Sequence, residues 1–319
     1  MDVLTFGETL AVAAAPRTGP LRMARTLELS MAGAESNVAI GLSRLGFAVA
    51  WIGRVGADEV GALVVERLRA EGVDTAAVRT DPSAPTALMI KEHRTAGVTR
   101  VHYYRTASAG SRLHPSDVNE DLIADARLVH LTGITPVLSA SARDTIRRVV
   151  AVAGAKGVPV SFDVNYRSRL WDPGSAAAEL SGLAAQAAIV FAGEDELPLI
   201  TGGARGPDAA RDLARKGLVS GPKEVVIKRG SRGAAVFTAD GAVHQQPAVP
   251  VTAVDPVGAG DAFAAGYLAG FLDGQEPQAR LSLGCTLGAF AVSCAGDWEG
   301  LPTRDELGLL STEDGTTQR

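Results

Sequence analysis

Asp255-Pro256-Val257-Gly258-Ala259-Gly260-Asp261-Ala262-Phe263-Ala264-Ala265-Gly266 runs from a loop of small residues into an apolar helix. Such a turn leaves backbone N–H groups free, with the positive end of the helix dipole behind them. That makes an anion hole suited to a phosphate in transfer, with amides from Gly258, Ala259 and Gly260. Asp261 falls in the first helical turn, where a carboxylate can take a proton from an attacking hydroxyl. A plain glycine turn, with an acidic residue favouring the helix dipole, accounts for Gly258 to Asp261 equally well. No G-x-x-x-x-G-K-[ST] occurs, so a P-loop mechanism is not available.

Upstream of this stretch the chain alternates short apolar runs with helical ones. Residues 3–8 read as a buried strand running into a loop, and further strands are expected at 48–52, 128–131, 158–162, 188–191 and 224–227. Helices are expected at 36–45, stopping at Gly46, and at 59–70, 139–155, 176–187 and 208–216. Glycine-dotted apolar helices at 260–272 and 279–294 end the pattern. Alternation of this kind predicts an α/β fold, a doubly wound, mostly parallel sheet flanked by helices. Two segments, 11–31 and 86–107, break the rhythm and read as β-hairpins. They either pair as a small sheet over the site or stand as two ordinary surface hairpins.

Composition narrows the class. The chain has 319 residues, 46% of them hydrophobic, and a mean hydropathy of +0.12, enough for a large core. The expected organisation is one α/β domain over 1–310 carrying the two insertions, with a polar tail at 311–319. Net charge is 31 − 36 = −5, with a pI of about 5.6, which argues against a basic nucleic-acid surface. Cys285 and Cys294 cannot make a disulfide framework or a four-thiolate zinc site. The five histidines never fall at metal-ligand spacing. No apolar run reaches 18 residues and the start lacks a basic n-region, so a soluble cytoplasmic protein that binds no membrane is expected.

A second stretch strengthens the first. Ala32-Gly33-Ala34-Glu35-Ser36-Asn37-Val38-Ala39, then Leu45-Gly46 and Gly53-Arg54-Val55-Gly56-Ala57-Asp58, lie over 200 residues ahead of Asp255–Gly266. Together they resemble the N- and C-terminal signatures of the ribokinase-like (PfkB) sugar kinases, over roughly residues 2–304. The resemblance implies the ribokinase-like fold, with the two insertions as a β lid. It implies Asp261 as base, Gly33 and Asn37 on the sugar, and ATP with Mg2+, and it leaves room for a monovalent cation such as K+. Val225-Val226-Ile227-Lys228-Arg229-Gly230-Ser231-Arg232-Gly233-Ala234 resembles the family's nucleotide segment, with Lys228, Arg229, Gly230, Ser231 and Gly233 near ATP. By itself that run is also an ordinary hairpin turn.

Within the family, three motifs resemble kinases of keto-deoxy sugar acids. They are Tyr103-Tyr104-Arg105 with Ser108-Ala109-Gly110-Ser111, His130-Leu131-Thr132-Gly133-Ile134-Thr135-Pro136, and Asp163-Val164-Asn165-Tyr166-Arg167 with Leu170-Trp171. The physical case is separate: a sugar acid carries a carboxylate, and an arginine fork holds a carboxylate with paired, charge-assisted bonds. Arg105 and Arg167 both follow strand-like runs, where ligands of α/β sheets bind. Asn165 falls in a motif that approaches the ATP phosphates in the family. One departure stands out. Relatives carry N-x-x-E where this chain has Gly193-Glu194-Asp195-Glu196. Either Glu196 keeps an indirect role at magnesium, helped by Glu194 or Asp195, or these are stabilising residues at a helix start. Met89 stands near where some relatives place an aromatic on the sugar. Pairing of subunits through exposed lid edges is also implied. The alternatives are a neutral-sugar kinase, leaving both arginines without a carboxylate, and a non-catalytic sugar-acid sensor, which has no use for Asp261.

Overall fold

The computed structural model describes residues 1–95 and 98–311, so the tail beyond Ser311 lies outside the described residues. In chain order the first half holds β1 (Val3–Phe6), β2 (Leu10–Ala14), β3 (Glu28–Ala32), α1 (Ala34–Arg44), β4 (Val49–Ile52), β5 (Arg54–Gly56), α2 (Glu59–Ala70), β6 (Arg79–Asp81), β7 (Leu88–Thr95), β8 (Val98–Tyr104) and α3 (Glu120–Ala124). The second half holds β9 (Leu128–Thr132), α4 (Ala140–Lys156), β10 (Val160–Asp163), α5 (Pro173–Ala184), β11 (Ile189–Gly193), α6 (Leu197–Ile200), α7 (Gly206–Arg215), β12 (Glu224–Lys228), β13 (Ala234–Thr238), β14 (Val243–Gln246), α8 (Ala259–Leu272) and α9 (Pro277–Val292).

The central sheet runs β14-β13-β12-β11-β10-β9-β1-β4. It is parallel from β4 to β12, and β13 and β14 close it as an antiparallel edge. Strands covered on both faces need apolar residues throughout, and β9 and β11 are buried almost end to end. One face packs Leu4, Phe6, Leu131 and Phe162 against Ile146 and Val149 of α4 and Leu180 and Leu183 of α5. The other packs Trp51, Phe191 and Val226 against α1, α2, α8 and α9. There Phe191 meets Phe263 and Tyr267 edge-on, at centroid distances of 6.3 and 5.4 Å.

The expected helices stand with their ends adjusted by local chemistry. The helix expected at 176–187 starts at Pro173, because the Asp172 carboxylate accepts from the Gly174 and Ser175 amides. The one expected at 36–45 starts at Ala34, with Gly33 as its N-cap. α8 is buried almost all round, and small residues let its neighbours close in. A Cβ on Gly266 would lie 2.7 Å from the Leu283 carbonyl of α9. Among the described residues no helix is long and apolar enough to cross a membrane.

The two segments that broke the rhythm pair into one small sheet, β3-β2-β7-β8. β2–β3 and β7–β8 are antiparallel hairpins, joined by a parallel β2–β7 pair. Strand alternation gives this sheet two distinct faces. Val12, Met89 and Tyr103 align across one face, as do Ala14, Lys91 and Val101. The opposite face carries Leu88 beside Tyr104 and Ile90 beside His102.

Candidate active site

The residues singled out from sequence gather at the carboxyl ends of the parallel strands, where open α/β sheets bind ligands. Asp163 ends β10, Lys228 ends β12, and α8 starts beside them. Gly258 sits at the α8 N-cap with φ +77, ψ −11, a left-handed conformation that glycine adopts without strain. It is also cramped, since a Cβ there would lie 1.9 Å from the Asp297 carbonyl. Gly258→Ala should therefore shift the turn and cost about 1–3 kcal/mol, with turnover falling at least about tenfold. Thermal unfolding alongside kcat tests it; a variant with wild-type melting and wild-type kcat would show that the turn tolerates a side chain.

Asp261 is half-buried and held from two sides. Asn37 Nδ2 donates to its Oδ2 at 2.8 Å, and Asn165 Nδ2 lies 3.4 Å from Oδ1. Burial pushes its carboxyl up to about 7, with nearby Asp163 adding to the rise. The Asn37 bond and the charges of Lys228 and Arg167 pull the other way. Asn165 takes a positive φ of 39°, a strained backbone that asparagine tolerates better than most. The Asn37 Oδ1 is buried without a partner, leaving an acceptor for a ligand hydroxyl.

Lys228 Nζ is 2.6 Å from Asp163 Oδ2 and 3.4 Å from where a Cβ on Gly260 would stand. An ammonium thus sits against the mouth of the α8 amides. Burial would lower its pKa, but Asp163 and Glu196 hold it above the usual lysine range. The rest of the expected nucleotide segment forms the turn between β12 and β13. Gly230–Arg232 make a single 3-10 turn with Ser231 exposed, and Arg229 bonds Gln245 Oε1 at 3.3 Å. Gly233, φ +87, is pressed against the Gln246 carbonyl.

Arg105, just past β8, forms an ion pair with buried Glu8, leaving its Nε buried without a partner among the described residues. Its guanidinium lies 5.6 Å from the Tyr103 ring. Tyr103, on the Lys91 and Met89 side of the small sheet, is 48% exposed. Tyr104 is not brought beside it: strand alternation turns it to the opposite face, 63% exposed. Arg167 is exposed, donates to the Tyr166 carbonyl at 3.3 Å, and stands near enough to Asp261 to lower its pKa. Met89 is packed among Leu10, Val12, Ala32 and Ala87. Gly33 is close-packed too, a Cβ there lying 2.6 Å from the Glu8 carbonyl.

Glu196 accepts the Tyr166 and Gly193 amides, both at 2.7 Å, tying the β10 and β11 loops together. Burial raises the Glu196 pKa against the pull of Lys228. Glu194 instead pairs with Arg232 at the surface. Among the described residues no three His, Cys, Asp or Glu side chains could enclose a metal. A magnesium ion held mainly by nucleotide phosphates and water needs less, and Asp163 Oδ1 is buried without a partner beside the cleft. Its neighbour Glu196 keeps a second lone pair on each oxygen. This donor set fits such an ion.

Several site groups were not singled out from sequence. Glu8 clamps Arg105 and accepts from Ser108 Oγ at 2.5 Å. Glu35 is fully buried, which raises its pKa, and accepts from Thr132 and Thr135 hydroxyls at 2.8 and 2.6 Å. Only the strand-end position of Glu8 signalled it; each partner lies about a hundred residues away in the chain. His130, by contrast, belongs to the core: burial pushes it down to about 4, and its Nδ1 bonds Ser161. A separate cavity of about 460 Å³ opens at the amino ends of the strands, between Arg44, Arg127 and Arg304. Each of those arginines is already held by a carboxylate.

The α8 N-terminus thus sets free amides beside a half-buried carboxylate, with Lys228 against the turn and Arg167 nearby. The family model for the pfkB carbohydrate kinases matches residues 1–304. The chain belongs to that family. It is 38% identical to a 2-dehydro-3-deoxygluconokinase of Bacillus subtilis, over 100% of this chain and 98% of that protein. It is 36% identical to a 2-dehydro-3-deoxygluconokinase of Thermoproteus tenax, over 96% and 93%. Among solved structures it resembles a ribokinase II homologue of Escherichia coli in complex with ATP and Mg2+, with a TM-score of 0.89 and 26% identity, over 97% and 98% of the two chains. This pfkB kinase thus has the ribokinase-like α/β fold expected from its sequence.

Proposed function

We propose that this kinase transfers the γ-phosphoryl of ATP to the terminal 6-hydroxyl of a 2-keto-3-deoxy sugar acid, with 2-keto-3-deoxygluconate as first candidate. The carrying observation is Arg167, near enough to Asp261 to lower its pKa, and Arg105, held by Glu8 beside the Tyr103 ring, adds a second guanidinium to the reading. The names of the two relatives point the same way. In this reading Asp261 takes the hydroxyl proton as the sugar oxygen bonds to the γ-phosphorus, and the bond to the β-phosphate oxygen breaks to release ADP. The Gly258–Gly260 amides and Lys228 receive charge on the moving phosphoryl, a reaction governed by positioning and electrostatics. Gly33, Asn37 and Tyr103 line the sugar end, and Asn165 and the 228–233 turn the nucleotide end. Magnesium, when bound through water to Asp163 and Glu196, would neutralise the phosphate oxygens.

The small sheet acts as a lid that excludes water during transfer. Its outer strand β8 is exposed along most of its length, an open edge through which two subunits can pair. Light scattering tests that. A cytoplasmic place fits two free cysteines and dependence on ATP. Exchanging K+ for Na+ at fixed ionic strength tests for a monovalent-cation requirement.

ADP release over a panel of sugar acids and neutral sugars tests the substrate class. Turnover of the acids is expected; turnover of fructose or ribose alone would sink the reading. A neutral-sugar kinase is the second reading, favoured by one observation: Glu8 already neutralises Arg105. Arg167 then decides. Lysine keeps its charge but loses the planar fork, so Arg167→Lys should lower kcat/KM for the sugar acid about tenfold. That is the low end for a charge-assisted bond, because Arg167 is exposed to water. KM for ATP should change far less, and an equal fall for fructose would assign Arg167 to the nucleotide or the fold.

A further inference from the structure

The small sheet does more than face the cleft: it sends one buried charge into the phosphate loop. Lys91 of β7 is only 3% exposed, and its ammonium lies 2.9 Å from Asp297 Oδ1 and 3.4 Å from Asp255 Oδ2. Asp255 opens the anion-hole turn, its other oxygen accepting the Val257 amide at 3.1 Å. Asp297 closes on the same turn from the far side, its carbonyl filling the space that a side chain on Gly258 would need. Lys91 is the cation between these two walls. The loop around Asp297 meets the small sheet a second time. Trp298 Nε1 donates to the Met31 carbonyl of β3 at 3.0 Å, and the Ser30 hydroxyl bonds Glu299.

Fold stability is a weak reason to keep such a group, because a buried ion pair can often be replaced by apolar packing at no loss. The placement has another use. We propose that Lys91 is a positioning residue for phosphoryl transfer: seated between Asp255 and Asp297 when the lid closes, it fixes the Gly258–Gly260 turn, so that sugar occupancy and anion-hole geometry are coupled. This rests on the kinase reading and on the lid role above. In that reading sugar binds at the Arg105 and Tyr103 end, and Tyr103 shares the sheet face that carries Lys91. Closure over the sugar therefore moves strand and ammonium together. With the lid open the two aspartates lose their shared counter-charge, and the turn between them is free to drift. Burial would lower the Lys91 pKa, but Asp297 and Asp255 outweigh it and keep the group charged at neutral pH.

The test compares wild type, Lys91→Arg, Lys91→Met and Lys91→Ala with 2-keto-3-deoxygluconate and MgATP. Lys91→Met should lose about 10- to 100-fold in kcat with both KM values within about threefold, the pattern of an interaction that matters in the transition state. Lys91→Arg should keep most of the rate. Methylammonium should restore turnover to Lys91→Ala, whose truncated side chain leaves room for it, and tetramethylammonium at equal ionic strength should not. A kcat within about twofold of wild type, or a loss carried by the sugar KM, would overturn the inference. So would a loss that no small ammonium repairs in a variant that still binds an ATP analogue normally. Wild-type amide exchange covers the case of a variant that does not fold: sugar acid alone should slow exchange across 255–261 as well as 88–95. Unchanged exchange across 255–261 also overturns it. Failure of the kinase reading itself would show separately, as a wild-type protein that releases no ADP with any sugar.

Discussion

Asp261→Asn is expected to cut kcat by 10²- to 10⁴-fold or more, the range for loss of a general base, while an ATP analogue still binds. The variant keeps the shape of the side chain and one acceptor oxygen for the 2.8 Å bond from Asn37, giving up only the longer 3.4 Å contact from Asn165, so the loss is mainly chemical rather than architectural. A variant retaining above about a tenth of wild-type turnover would remove Asp261 from the mechanism. The pH profile gives an independent reading. A base works as its carboxylate, and burial places this one near 7. Wild-type kcat/KM should therefore fall about tenfold per pH unit below 7. Stability should run the other way. The folded Asp261 keeps its proton up to about 7, whereas an unfolded aspartate releases it near its ordinary value of 3.8. Its contribution is thus fully present in acid and is lost as pH rises toward 7. Asp261→Asn should lose that dependence, so its melting temperature should gain on wild type between pH 5 and pH 8. An unchanged difference across that interval would mean that Asp261 is ionised well below neutrality.

Why these groups converge was only partly legible in the chain. Helix α2 could be read to the residue, since Asp58 caps it through the Gly61 amide and its apolar positions recur with helical spacing. The breaks in rhythm at 11–31 and 86–107 marked the small sheet, because hairpin strands alternate with period two. The same period separates Tyr103 from Tyr104, and reading both as sugar contacts passed over it. What could not be read is pairing at a distance. Glu8 with Arg105, Asp163 with Lys228 and Asp297 with Lys91 join residues far apart in the chain. Each partner alone looks like ordinary surface charge. Only the fold makes them buried, and burial makes them partners of necessity. That is also why Lys91, inside an otherwise ordinary strand, carried no signal.

The second large effect is expected at Lys228. Its ammonium has two employments, neutralising Asp163 at 2.6 Å and standing against Gly260 at the start of α8, the proposed phosphate loop. Lys228→Met removes both. Asp163 is 1% exposed, so its carboxylate would be left buried and unpaired, a change that typically costs about 3–5 kcal/mol. In a chain of this size that corresponds to a fall of about 4–8 °C in Tm. Asp163→Asn in the same background should recover most of it, since the unpaired Asp163 charge is gone and Glu196 keeps its two amide donors. Turnover should not recover. The phosphate loop would still lack its cation, and kcat should stay at least about a hundredfold down. The sign of the pH shift separates this electrostatic role from mere damage. Lys228 is one of the charges that hold Asp261 down against burial. Without it Asp261 should hold its proton to higher pH, and the acid limb of kcat/KM should move up. Adding Asp163→Asn removes a neighbouring negative charge that raises Asp261, so in the double variant the limb should move part of the way back. A limb that stays at the wild-type position in a folded, slow Lys228→Met enzyme would sever Lys228 from Asp261 and leave it only its structural pair.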